Sequence, residues 1–237
     1  MVSNTEQHNI YTDGNYKEKN PTWHIEDSPW KANHVLSILK RNNLQPKSIC
    51  EVGCGAGEIL IQLYNQMPEY VQFYGYEISP QGFELCKNRE NNRVKFYLKD
   101  LVLDNEAFFD VLLVIDVFEH VEDYLGFLKK INTKSKYKIF HIPLDLSLQR
   151  VLRINSILTA REQLGHLHYF TKETALAALE DTGYKIIDYF YTATNIDLHE
   201  KLAQTKFMNI IRKISFKFNQ DLTARILGGY SLMVLTE

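Results

Sequence analysis

The 237-residue sequence predicts an α/β architecture: a doubly wound, mostly parallel seven-stranded sheet with helices on both faces, plus a helical insertion. Three observations carry this. Short apolar runs of strand type alternate with segments of helical period. Glycines cluster directly between the first such run and the helix that follows it. Strand, helix, strand repeated in this way closes by right-handed crossovers, which place helices over both faces of one sheet. With 45% hydrophobic residues the chain can bury the core such a sheet needs.

The first thirty residues mix Asn, Asp, Gly, Lys and Pro with Tyr11, Tyr16, Trp23 and Trp30, the composition of an ordered arm. Asp27-Ser28-Pro29 is a helix-start signal, and Ala32, Val35, Leu36 and Leu39 recur at helical spacing, so a first helix is expected over 30–42. Residues 48–52 form a short apolar run bounded by glycines, with Ile59, Leu60, Leu63 and Tyr64 at helical spacing behind it. Strands are then expected over 71–77, 94–98, 110–116 and 137–142, with helices over 80–89 and 121–131 between them. The last third is less regular. It holds a helical stretch near 146–164, a Gly165-His166-Leu167-His168 break, a helix over 171–181 closed by Gly183, and final strands over 184–192 and 230–236. Nearly forty residues of helical period separate those strands, too many for an ordinary loop. The expected organisation is an arm and first helix, 1–45, covering a site built by 46–237, with the insertion at about 195–227.

Composition narrows the function. A formal net charge of −2 gives no basic field for a polyanion, so nucleic acid is not an expected partner. Three cysteines, Cys50, Cys54 and Cys86, are an odd number and point to a reducing compartment, the cytoplasm. The most apolar run, 111–118 with Asp116 inside it, falls far short of the roughly 20 residues a spanning helix needs.

The chemistry concentrates in Glu51-Val52-Gly53-Cys54-Gly55-Ala56-Gly57-Glu58. Glycines at every second position let the backbone turn sharply and approach a ligand. A dehydrogenase fingerprint would place its third glycine one residue later, where this chain has Glu58. Glu51 would repel a pyrophosphate and attract an ammonium or sulfonium charge. The segment resembles the first signature of class I, Rossmann-like S-adenosylmethionine-dependent methyltransferases. That resemblance implies an antiparallel last strand. It also implies backbone contacts from Gly53 and Gly55 to the methionine and ribose moieties, Glu51 near the amino group, and Cys54 and Gly57 within the same loop.

Glu77 ends the second strand about twenty residues past the glycines, where an acid accepts both ribose hydroxyls, and Ile78 follows it. Asp100 matches the family position that receives the adenine amino group, with Leu101 as an apolar wall. Asp116-Val117-Phe118-Glu119-His120-Val121 resembles the fourth signature, which implies Asp116 and Val117 beside the sulfonium. Glu119 is also placed for the dipole of the next helix. Trp23 in the aromatic arm is expected in a lid over the cofactor. His120, His166 and His168 are the candidate general bases, and His141 shares their edge of the sheet. A metal is not expected, because His166 and His168 lack an acidic or cysteine partner nearby in sequence.

The expected function is methyl transfer from S-adenosylmethionine to a small molecule, first an oxygen of a sugar, quinone-like or other secondary metabolite. Nitrogen and carbon acceptors stay open, as do a non-catalytic cofactor-binding protein and a nicotinamide-dependent oxidoreductase. In the insertion Leu202, Phe207, Ile210, Ile211, Ile214 and Phe218 recur near helical spacing, among Lys201, Lys206, Arg212, Lys213, Lys217 and Arg225. Two readings fit this pattern. One is a cap buried on the domain with its basic face in water. The other is a roof over the acceptor pocket that selects an anionic or lipid-linked substrate, with peripheral docking on an acidic membrane as a variant.

Overall fold

The computed structural model describes residues 18–198 and 203–237. Tyr11, Tyr16, Lys201 and Leu202 lie outside the described residues. One seven-stranded sheet organises the rest, from β1 (Ser48–Val52), β2 (Gln72–Glu77), β3 (Val94–Leu98), β4 (Phe109–Ile115), β5 (Ser135–Pro143), β6 (Ile186–Thr192) and β7 (Ser231–Thr236), in the order β3-β2-β1-β4-β5-β7-β6. β7 runs antiparallel to both its neighbours, and the other adjacent pairs are parallel. Strand order reverses at β1 and β4, so their carboxyl ends open a crevice there.

The central strands are apolar at consecutive positions because both faces are covered. Ile49, Val111, Leu113 and Ile139 join one core with Ala32, Val35 and Ile38 of α1 (Ser28–Arg41) and Ile59, Leu60 and Leu63 of α2 (Glu58–Gln66). Their neighbours Cys50, Leu112, Val114 and Phe140 face the other way, onto Leu128 and Ile131 of α4 (Tyr124–Ile131) and Ala175 and Leu179 of α7 (Lys172–Asp181). On the first face α3 (Pro80–Cys86) begins at Ser79, whose hydroxyl accepts from the Gly82 amide. Thr171 opens α7 with a capping box shared with Thr174.

Several elements depart from the expected bounds for local reasons. The helix expected over 121–131 begins only at Tyr124, because the Asp123 carboxylate accepts from the Gly126 amide at 2.9 Å and sets the cap. Residues 146–164 are not one helix. They break into α5 (Leu148–Leu152), α6 (Ile154–Thr159) and a π turn (Ala160–Leu164) that ends at left-handed Gly165. Between β6 and β7 lie α8 (Thr194–Asp197), α9 (Ala203–Phe218) and α10 (Gln220–Leu227). α9 does not bury its apolar stripe on the domain as a cap would: Phe207, Ile210, Ile214 and Phe218 face outward, because the helix turns Asn209, Arg212 and Phe216 to the domain instead.

Candidate active site

At the end of β1 the chain turns through Gly53, Gly55 and Gly57, with φ of +67°, +53° and +72°, a path that costs other residues strain. The amides of Gly53 and Cys54 donate to the Tyr76 carbonyl at 2.8 and 3.1 Å and pin the loop to β2. Gly57 is a packing residue, since a Cβ there would lie 2.5 Å from the Phe96 ring. Gly53, Cys54 and Gly55 line a cavity of about 1290 Å³, together with Glu51, Glu77, Ile78, Asp116 and Val117. Trp23 roofs it, its indole lying against Gly55 and Gly82. Asp100 and Leu101 are not part of that lining: one Asp100 oxygen caps its own turn by accepting from the Val102 amide at 2.9 Å, and Leu101 is buried in the second core.

Two carboxyls divide the cofactor end between them. Glu51 is buried, and its Oε2 has no hydrogen-bond partner, so burial pushes its pKa well up. Such an orphaned acceptor beside three left-handed glycines fits an incoming ammonium group. Glu77 accepts from the Gly55 amide through Oε2 and from the Ser79 amide through Oε1, both at 2.7 Å. Burial raises its pKa, against the pull of those amides. A carboxylate has roughly four lone-pair positions, so two amides leave room for a vicinal diol.

Asp116 follows β4 in a left-handed conformation, φ +53°, rare for a non-glycine residue. Its carboxylate accepts from Lys31 of α1 at 2.7 Å and from His141 Nδ1 of β5 at 2.6 Å, while His141 Nε2 meets the Thr192 hydroxyl at 2.9 Å. Burial would raise its pKa, but His141 and Lys31 hold it well below the usual carboxylate range. Lys31 is the residue the sequence reading missed here. Its position one turn into the first helix was the available signal, but nothing local said that this helix faces β4.

The histidines separate into different roles. His168 leaves the site, its Nε2 donating to the Val121 and Glu122 carbonyls at 2.9 and 3.1 Å. His166 lines the cavity and donates from Nδ1 to Asp145 Oδ2 at 2.5 Å, with Arg150 bridging the same carboxylate. An imidazole held by a carboxylate at Nδ1 presents Nε2 as its acceptor. His120 packs edge-on against His166 with ring centroids 4.8 Å apart, and burial lowers both to about 4. Glu119 does not serve the helix dipole. Its side chain is 0% exposed, neither oxygen has a hydrogen-bond partner, with His120 Nε2 3.8 Å from Oε1, and burial pushes its pKa well up, towards the neutral acid. Ligand atoms of Glu119, His120 and His166 lie within 4.8 Å of one another, so the acidic neighbour absent beside His168 stands beside His120 instead. Asp145, two residues past β5, had as its only signal its place at a carboxyl strand end.

A family model described as a methyltransferase domain matches residues 23–189. The chain belongs to that family. This methyltransferase takes S-adenosylmethionine as its cofactor, and the residues at the glycine loop fit it. The nicotinamide and non-catalytic alternatives are thereby set aside. The methyltransferase is 25% identical over 211 residues to a ubiquinone biosynthesis O-methyltransferase of Rickettsia bellii, covering 85% of this chain and 86% of that one. Its fold resembles that of magnesium protoporphyrin IX methyltransferase from Synechocystis with bound SAH (TM-score 0.58, 16% identity, 88% of this chain and 82% of that one). It also resembles an N-methyltransferase from Bradyrhizobium japonicum in complex with S-adenosyl-l-homocysteine (TM-score 0.59, 13% identity, 94% and 98%).

Proposed function

We propose that the methyltransferase modifies an oxygen of a small acceptor, a hydroxyl of a quinone-like or other secondary metabolite, with His166 as general base. The observation that carries this is the His166–Asp145 hydrogen bond on the cavity wall. A hydroxyl needs its proton removed as it attacks, whereas a free amine does not, so a base fixed in one tautomer matches an oxygen nucleophile. The R. bellii relative, named for O-methylation, supports the same acceptor class. The cofactor supplies an electrophilic methyl on sulfonium when bound. Glu51 would hold its ammonium group, Glu77 its ribose hydroxyls, and the Asp116 carboxylate would offer negative charge to the sulfonium. Gly53, Cys54, Gly55, Ile78 and Val117 form the walls, and Trp23 keeps water out. Asp145 holds the His166 ring while Nε2 takes the acceptor proton.

The test is incubation with labelled S-adenosylmethionine and a metabolite extract, followed by identification of the labelled product. A labelled methyl ether is expected, and a labelled amine as the main product overturns the reading. His166→Gln should lower kcat by roughly 10²–10⁴, the usual worth of a general base, with cofactor affinity unchanged.

A further inference from the structure

Half of the large apolar side chains that stand exposed on the described residues belong to four helices, α5, α6, α9 and α10. The rest are spread over the other elements, with at most two on any one of them. In α9 the arrangement is inverted relative to an ordinary surface helix. Its inward residues are polar or aromatic and firmly held. Arg212 donates to the Leu227 carbonyl, the Asn209 side chain and Gln149 of α5 at 3.0–3.2 Å, and the Phe216 ring stacks on Tyr230 at 4.5 Å. Its outward residues are Phe207, Ile210, Ile214 and Phe218, with Phe207 65% and Phe218 87% exposed. Fixing the helix through its polar face leaves the apolar ridge pointing away from the protein.

Charge says what covers the ridge. α9 carries Lys206, Arg212, Lys213 and Lys217 and no acidic residue, and no acid occurs from Leu146 to Arg161 across α5 and α6, where Leu148, Val151 and Leu152 add exposed apolar surface. Asp221 of α10 is engaged with Lys172 and Tyr191, and Glu173 beside it with Arg225. A basic, apolar face on a chain of net charge −2 therefore has its complement in an anionic apolar surface. A second copy would bring its own lysines against these.

We propose that α5, α6, α9 and α10 form a docking face for an anionic lipid bilayer, with Phe207, Ile214 and Phe218 entering the acyl boundary and the α9 lysines meeting the headgroups. Arg150 of α5 lines the cavity, as does Tyr230, on which Phe216 of α9 stacks, so docking sets the elements behind that wall against the bilayer. The proposal does not depend on which atom accepts the methyl group.

The experiment is co-sedimentation of the full chain with vesicles of phosphatidylcholine alone or with about one third phosphatidylglycerol. Binding to the anionic vesicles, weakened by salt and at least tenfold weaker on phosphatidylcholine, is expected. The triple variant Phe207→Ser, Ile214→Ser, Phe218→Ser should lose at least tenfold in vesicle binding. Its affinity for S-adenosylmethionine by calorimetry should be unchanged, which also shows that it folds. Wild-type protein that stays in the supernatant with anionic vesicles, or a triple variant that sediments as well as wild type, overturns the proposal. So does a wild-type dimer in sedimentation equilibrium that the triple substitution dissociates, because the ridge is then covered by a second copy.

Discussion

Glu51, one residue before the end of β1, and Glu77, at the end of the adjacent parallel β2, differ in that only Glu77 is already satisfied, and that difference predicts different responses to mutation. Replacing Glu77 by Ala removes the acceptor for the ribose and frees two amides, so S-adenosylmethionine binding should weaken by about 1.5–3 kcal/mol. Calorimetry measures this, and an unchanged Kd would show that the ribose is held elsewhere. Lys31→Met removes the ammonium from Asp116 and leaves it the hydrogen bond to His141, so chemical denaturation should show a loss of about 3 kcal/mol, at the low end for a broken buried pair. An unaltered midpoint would mean the pair contributes nothing net. The carboxyls were legible in the sequence because the glycine spacing fixes them locally. Asp145 and His166 were not legible as a pair, since 21 residues and a broken helix separate them and only tertiary packing closes the distance to 2.5 Å.

At the scale of elements, five of the seven strands were read within one residue at both ends, because strands covered on both faces carry apolar residues at consecutive positions. Helices were harder. Period alone merged α5, α6 and the π turn, since their register changes through backbone geometry that side-chain spacing does not record. In α9 the period was legible and its direction stayed open: a hydrophobic stripe normally points inward, and Arg212, Asn209 and Phe216 hold this one outward. The junction of β1 and α2 gives a test of the glycine reading. Gly57→Ala adds a methyl that meets Phe96 and forces a left-handed φ on alanine, so thermal unfolding should show a loss of about 2–4 kcal/mol from overpacking and backbone strain together. Adding Phe96→Leu should recover only the packing part, and full recovery would show the backbone to be unstrained.

For the whole molecule, proton linkage follows from the buried histidines. His120 and His166 fall from an ordinary 6.5 to about 4, first because of burial, so the unfolded chain binds more protons than the folded one between those values. Their contribution to stability is complete above pH 6.5 and lost as pH falls towards 4. Glu51 and Glu119, with raised pKa values, act in the opposite direction as pH rises above 4.5. The difference between wild type and His166→Gln isolates one histidine. Its melting temperature should fall less steeply than that of wild type between pH 6.5 and 4, and parallel profiles would mean that His166 titrates alike in both states.

The position of β7 matters for the order in which the molecule assembles. It is the last strand along the chain, yet it lies inside the sheet between β5 and β6, with all six residues buried. Until it arrives, β5 has an open edge and β6 has no neighbour among the described strands, while β1 to β4 can pair without it. Such late, long-range closure is slow and leaves an apolar edge exposed to other chains. Pulse-labelled hydrogen exchange during refolding should find the amides of β6 and β7 protected together in one slow step, after those of β1 and β2. Refolding yield should fall with protein concentration during that interval, as growing aggregates capture the waiting edge of β5.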